Sequence, residues 1–447
     1  MTILLANADA KRIPLADKSV NCVVTSPPYF GQRDYGTAEW VGGDARCDHL
    51  PHNQPGPNAT AGNTLALLGR TPYKKMCKKC GAVHVDNQIG LEGSPDEYVE
   101  AICRVFDEVW RVLRDDGTVW LVIWDSYAGS GKGLYADGTS HGTDGDKQKT
   151  NAGSIGVSFQ GKSNLKPKDL IGIPWRVAFA LQERGWWLRQ DIIWSKLNPM
   201  PESVTDRCTR SHEYIFLLTK SARYWYDNEA IKEDSVTDEN SKASMMFGPV
   251  NGKNNTSEKA HAVEVGHKWH YEPKRNKRSV WTVATRPYPG NHYATYPADL
   301  IEPCILAGCP ETVCAECGAP YERVVEVDRT QKNRRYRDWR DIGWEKDENN
   351  RAKNTGNPVQ CINPRAPTVV TLGFQPTCSC NADTRPGIVL DPFVGSGTTC
   401  LVARKHRRHA IGLDLNFDYL NTNARERLAY GGYVPVADGI NQLTIGV

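Results

Sequence analysis

The sequence predicts an α/β protein built on a mainly parallel sheet and carrying two small cysteine-bearing insertions. Three observations support this. Asn21-Cys22-Val23-Val24-Thr25 and Thr118 to Trp124 are continuous apolar, β-branched runs, the pattern of strands buried on both faces. Residues 387–414 read as strand, glycine loop, helix and strand. The tight pairs Cys77/Cys80, Cys314/Cys317 and Cys378/Cys380 fall in polar stretches without periodicity. A chain of 447 residues is long enough for two or three units around a large core.

Composition narrows the class. With 39% apolar and 24% charged residues, the chain is neither wholly disordered nor membrane-embedded. No apolar run approaches the ~18 residues of a membrane span, and the first residues lack the basic and apolar regions of a secretion signal. A formal charge of +3 does not announce a nucleic-acid binder, so that reading must come from local patches. The 14 cysteines are too sparse for a disulfide scaffold, and their tight pairs read as zinc ligands. The remaining thiols, Cys22 among them, look mostly like small buried apolar groups.

Along the chain, Ile3-Leu4-Leu5 is a short strand and Asn21–Thr25 a second. The second stops at Ser26-Pro27-Pro28-Tyr29, because two prolines cannot continue a central strand. Residues 37–90 read as an insertion. Apolar residues at helical spacing predict a helix from Asp96 to Arg114, started by Ser94-Pro95. Asp115-Asp116-Gly117 reads as a turn before the Thr118–Trp124 strand. Residues 128–168 form a long loop whose Gly129-Ser130-Gly131-Lys132-Gly133 fails as a phosphate loop, lacking the earlier glycine and the Ser/Thr for magnesium. A helix at Pro174–Gln182 and strands at Trp187–Ser195 and Glu213–Thr219 follow. Residues 226–280 are polar and end in a basic-aromatic run, and residues 311–385 form the second insertion.

Two motifs carry chemistry. In the C-terminal unit, Gly395 and Gly397 allow a close backbone approach to a ligand. Asp414 ends the next strand 19 residues after Gly395, where a ribose hydroxyl partner belongs. Cys400 stands where a dinucleotide fingerprint has its third glycine, which disfavours NAD. The other motif is Thr25-Ser26-Pro27-Pro28-Tyr29. Its prolines offer carbonyls without competing N–H groups, and a hydroxyl and an aromatic face flank them. That set suits a planar amine, whose NH₂ the oxygens accept and whose ring Tyr29 stacks upon.

Together these motifs resemble the DNA amino-methyltransferases that use S-adenosylmethionine (SAM). Thr25–Tyr29 matches the family's catalytic motif, and Asp391-Pro392-Phe393-Val394-Gly395-Ser396-Gly397-Thr398 matches its SAM motif. Their order is that of the β class. Asn7–Ala10, Ile171–Trp175, Asp191–Lys196, His212-Glu213 and His292–Pro297 resemble further family segments, and the match covers about half of the chain in pieces. The resemblance implies a Rossmann-like methyltransferase core with a seven-stranded sheet, assembled from residues 1–36, 91–225, 281–310 and 386–447. It implies direct methyl transfer to a flipped-out base, with Ser26, Pro27, Pro28 and Tyr29 catalytic and no covalent cysteine. Asp391, Pro392 and the loop Phe393–Gly397 with Ser396 and Thr398 would hold the methionine end of SAM. His292, Thr295 and Pro297 would fold over that end, Asp414 would bind the ribose, and Asp9 and Thr25 would flank the adenine. In this family Ser-Pro-Pro-Tyr leans to cytosine N4 and Asp-Pro-Pro-Tyr to adenine N6, so cytosine is favoured. The partner is double-stranded DNA, with no membrane. A homodimer, a cognate restriction nuclease and a cytoplasmic site in a bacterium or phage-infected host are further expectations. RNA or protein methylation and a silent zinc-dependent DNA-binding protein are the rivals.

Two zinc sites are expected. Cys47 and His49 with Cys77 and Cys80 supply four N/S ligands, and His52 or His84 could replace His49. Cys314 and Cys317 with Cys378 and Cys380 make a four-cysteine set. Cys-Gly-Ala follows in both, as in a knuckle whose glycine permits the turn. Full coordination leaves no open position, so both read as structural. Lys268, Trp269, Lys274, Arg275, Lys277 and Arg278 are the DNA-contact candidates within a recognition region at 226–280. Both insertions and this region are expected to rim the substrate cleft.

Overall fold

The computed structural model describes residues 1–32, 37–49, 76–128, 165–166, 168–234, 274–286, 295–328, 344–346, 352–354, 368–429 and 434–438. The main sheet takes in strands β1 (Ile3–Asn7), β2 (Val20–Thr25), β3 (Leu113–Ile123), β4 (Trp187–Ser195), β5 (His212–Thr219), β6 (Val280–Thr282), β7 (Ile388–Asp391), β8 (His409–Asp414) and β9 (Val436–Asp438). Their order across the sheet is β6-β4-β5-β3-β2-β7-β8-β1-β9. Every neighbouring pair is parallel except the two made by β5. The α/β, mainly parallel class is as expected. The strand count is nine rather than seven because two three-residue strands, β6 and β9, extend the edges.

Alternation along the buried strands sends side chains to both faces. Val23, Val119, Leu121 and Phe216 pack beneath helices α1 (Pro95–Val112) and α2 (Ile173–Glu183). Cys22, Val24, Trp120 and Ile215 meet α3 (Ala298–Gly308) and α4 (Thr398–Lys405) on the other face. Helix α1 starts as its sequence predicts: Ser94 Oγ accepts from the Glu97 N–H at 3.2 Å, with Pro95 in the first turn. It ends earlier than predicted, at Val112. The expected turn at Asp115–Gly117 is absorbed into β3 as an irregularity, since Val20 faces Leu113 while Cys22 faces Thr118.

Helix α3 has no counterpart in the sequence reading. Pro303 lies inside it and cannot donate to the Asp299 carbonyl. Burial of Leu300, Ile301, Cys304 and Ile305 outweighs that loss. The helix ends at Gly308, where a Cβ would stand 2.4 Å from both Thr118 Oγ1 and Trp120 Nε1 of β3.

The parallel strands fix which edge each insertion occupies. The first begins just after the β2 loop, where the hairpin Glu39–Val41/Val83–Val85 lies on the C-terminal side of the sheet. The second is anchored at the opposite edge. Arg114 donates to the Cys317 carbonyl at 2.7 Å, Asn21 to that of Gly318 at 3.4 Å and Trp225 to that of Tyr321 at 3.3 Å. The expectation that both insertions rim one cleft is therefore corrected: the described part of the second is rooted at the strands' N-terminal ends. Its long antiparallel ribbon pairs Tyr321–Asp328 with Thr368–Pro376.

Candidate active site and metal centres

A cleft opens at the C-terminal ends of β1, β2, β7 and β8, where ligands bind in open α/β sheets. Ala8, Asp9 and Ala10 line it after β1, Ser26–Tyr29 after β2, Pro392–Ser396 and Thr398 after β7, and Asp414–Asn416 after β8. Thr295 and Tyr296 close one side, and Thr37, Gln88 and Ile89 of the first insertion form another wall. The two motifs, about 365 residues apart in sequence, thus share one cavity because β2 and β7 are hydrogen-bonded neighbours.

The glycine loop has the backbone its residues imply. Gly395 and Gly397 have φ of 49° and 80°, and a Cβ on Gly397 would stand 2.9 Å from Leu428. Asp414 Oδ2 accepts from the Gly395 N–H at 3.2 Å and Oδ1 from the Asn416 N–H at 3.0 Å. Burial pushes its carboxyl up to about 6. Asp391 departs from its expected role. Its oxygens accept from Thr25 Oγ1 (2.7 Å), the Phe393 N–H (3.1 Å), Thr399 Oγ1 (2.6 Å) and Tyr296 Oη (3.0 Å). It is buried behind the cleft lining and ties the catalytic strand to the glycine loop. Thr25, Pro297 and Gly397 likewise stand behind the lining. His292 lies outside the described residues.

The catalytic loop is held from three sides. Tyr98 Oη of α1 donates to the Pro28 carbonyl at 2.9 Å, while no described hydrogen bond engages the Pro27 carbonyl. The Gly31 N–H donates to the Gly90 carbonyl at 2.8 Å. A buried polar chain runs inward: Ser26 Oγ donates to Tyr29 Oη (3.2 Å), and Tyr29 Oη donates to Glu213 Oε2 (2.8 Å). Glu213 in turn pairs with Lys196, whose Nζ lies 4.4 Å from the Trp124 ring centre. Burial first, and the Glu213 charge second, push the Tyr29 hydroxyl well up, so it stays a donor. Burial also pushes up the Cys22 thiol, in keeping with a reaction that needs no cysteine nucleophile. The segments holding Glu213 and Lys196 were legible in the sequence, but the roles of these two residues were not, since nothing local links them to Tyr29.

Each cysteine-pair motif gathers its four ligands. In the first, Cys47, His49, Cys77 and Cys80 bring their ligand atoms within 4.8 Å of one another. Cys47 Sγ lies 3.7 Å from Cys77 Sγ, and Cys80 Sγ 3.6 Å from His49 Nδ1. Two sulfurs bound tetrahedrally to one zinc at ~2.3 Å would stand about 3.8 Å apart, so the donor set fits that ion. His84 instead packs on Trp40 at 4.7 Å, and His52 lies outside the described residues. The second cluster gathers Cys314, Cys317, Cys378 and Cys380. Four sulfur donors converging on one point make a set that a tetrahedral zinc ion would fill. Both knuckles share one turn: Cys77 N to Ala82 O at 2.7 Å and Cys314 N to Ala319 O at 2.8 Å, with Gly81 and Gly318 at φ 76° and 69°.

The basic run is placed differently from expectation. Arg275 and Arg278 share the Glu233 carboxylate (2.9 and 2.6 Å), and Lys277 lies 5.1 Å from the Trp281 ring centre. With Lys274 they lie just before β6, the edge strand of the sheet. Lys268 and Trp269 lie outside the described residues.

The cleft joins a glycine loop and a strand-end acid to the Ser-Pro-Pro-Tyr loop, the pairing of motifs that resembles the amino-methyltransferases. The family model described as DNA methylase matches residues 20–314 and 377–425. Type II methyltransferase M.Cfr9I of Citrobacter freundii is 32% identical over 412 residues, which are 92% of this chain and 81% of that protein. M.SmaI of Serratia marcescens is 32% identical over 411 residues, 91% and 84% of the two chains. Among solved structures, a putative DNA modification methylase of Thermus thermophilus with SAM covers 98% of this chain and 99% of its own. Its identity is 16% and its TM-score 0.40. The chain belongs to the DNA methylase family. It is a DNA methyltransferase that uses SAM.

Proposed function

We propose that the enzyme methylates the exocyclic N4 of cytosine within a specific duplex site. What supports cytosine is serine rather than aspartate at the head of the Pro-Pro-Tyr loop, the form that leans to N4 in the family; Ser26 is the acceptor there, with its hydroxyl hydrogen spent on Tyr29. Its oxygen then presents lone pairs only. Each hydroxyl in the chain points toward Glu213, which makes Ser26 Oγ a better acceptor than an isolated serine. A flipped base stacks on Tyr29, and Ser26 Oγ and the Pro27 carbonyl accept from its amino group. Holding both hydrogens turns the nitrogen lone pair toward the cofactor side of the cleft. SAM bound there supplies an electrophilic methyl group. Asp414 accepts from its ribose, and Asp9, Phe393, Gly395, Ser396, Thr398 and Thr295 line the rest. Catalysis rests on positioning and placed charge. Both cysteine clusters hold structural zinc on this reading. The relatives named type II methyltransferases support a role as the modifying partner of a separate restriction nuclease. The test is transfer of labelled methyl to unmethylated genomic DNA: label recovered in N4-methylcytosine supports the assignment, and label in N6-methyladenine overturns it.

A further inference from the structure

The first cysteine cluster is joined to the catalytic loop by a short segment. Cys80 is followed by the strand Val83–Val85 and then by Asp86, Gln88, Ile89 and Gly90. Asp86 Oδ1 accepts from Thr37 Oγ1 at 3.0 Å and from the Gln88 N–H at 3.0 Å, which fixes both ends of the insertion to each other. Thr37, Gln88 and Ile89 are cleft wall. Gly90 completes the path: its carbonyl takes the Gly31 N–H, and at φ 104° a Cβ on it would stand 3.0 Å from the Tyr29 carbonyl oxygen. On the other side of the hairpin, Gly43 packs so that a Cβ would be 2.8 Å from Cys80 Sγ. Trp40 stacks on His49 at 4.4 Å, with the His49 backbone held at φ 50°. Among the described residues of this unit, the hairpin's Val41, Val83 and Val85 are all exposed. A small nodule of that kind needs another source of order.

We propose that zinc bound by Cys47, His49, Cys77 and Cys80 orders the wall Asp86–Gly90 and thereby sets the catalytic loop Pro27–Gly31, whereas the four-cysteine cluster does not. This rests on the zinc reading given above. The second cluster is rooted at the opposite edge of the sheet and touches neither the loop nor the cleft. The nodule is thus a positioning element for the catalytic loop.

The experiment compares the full-length protein with its Cys80→Ser, Cys378→Ser and Gly90→Ala variants. It measures zinc content, hydrogen exchange at the Gly31 amide, and methyl transfer to unmethylated genomic DNA. The wild type is expected to hold two zinc ions per chain and each cysteine variant one. Cys80→Ser is expected to speed Gly31 exchange at least tenfold and to slow transfer at least tenfold. Cys378→Ser should leave Gly31 exchange unchanged while lowering the melting temperature. Gly90→Ala should keep both ions yet slow transfer. Zinc-free wild type would overturn the metal reading beneath the proposal. Loss of one ion in Cys80→Ser with Gly31 exchange unchanged would overturn the coupling itself, as would equal Gly31 effects in the two cysteine variants.

Discussion

Tyr29 Oη donates to Glu213 Oε2 at 2.8 Å, so the ring of the Ser-Pro-Pro-Tyr loop is held by a buried carboxylate on β5, a strand separated from β2 by β3. Glu213 also neutralises Lys196, and both side chains are almost wholly withdrawn from solvent. The pair joins β4 and β5 to the loop after β2, which lies far from both in sequence.

Replacing Glu213 with Gln should therefore lower kcat about tenfold to a hundredfold, the range for losing one charge-assisted hydrogen bond. SAM affinity should stay within twofold, because Glu213 does not line the cleft. A purely structural lesion would lower both. Tyr29→Phe should show the same split more mildly, since the stacking face survives.

Asp414 gives the enzyme a pH signature. Its carboxyl sits at about 6, raised by burial, while an unfolded aspartate titrates near about 4. The unfolded chain ionises first, so this group subtracts stability from the unliganded protein as pH rises between those values, and subtracts none below them. A ribose hydroxyl donating to the carboxylate favours the ionised form. SAM binding, followed by calorimetry, should then be flat above about pH 7 and weaken about tenfold per unit below about 6. Asp414→Asn should bind weakly and lose that dependence.

Asp391 should behave as a structural tie. Asp391→Ala strips acceptors from Thr25, Thr399 and Tyr296 in a buried setting. Leaving these donors unmatched should lower the unfolding free energy by about 3 kcal/mol or more, measured by denaturant melts. SAM binding and turnover should fall together in the surviving folded protein, because the carboxylate touches both motifs and neither substrate.

Much of this was legible in the sequence because it is local. The Ser94 cap, the β-branched runs of β2 and β3 and the glycine loop each announce themselves within a few residues. The seven cysteines of the two clusters were readable from spacing, while His49 was one of three histidines that spacing left open. What escaped was tertiary. Pro303 hides α3 because its penalty is local while its compensation, burial against β3, is not. The antiparallel run of β5 follows from its two neighbours. Glu233, lying 42 residues before Arg275, pairs with two of the arginines read as DNA contacts, a link no local signal shows. Asp391 reads as a cofactor ligand from its motif, and only the neighbouring hydroxyls reveal that its oxygens are already spent.

The most direct test is to incubate the protein with SAM and unmethylated genomic DNA and analyse the nucleosides by mass spectrometry, with Tyr29→Ala as the blank. The account predicts N4-methylcytosine with wild type and none with the variant. N6-methyladenine would contradict the reading of Ser26 while leaving the site intact. N4-methylcytosine at full yield from Tyr29→Ala would contradict the role assigned to the Ser26–Tyr29–Glu213 chain.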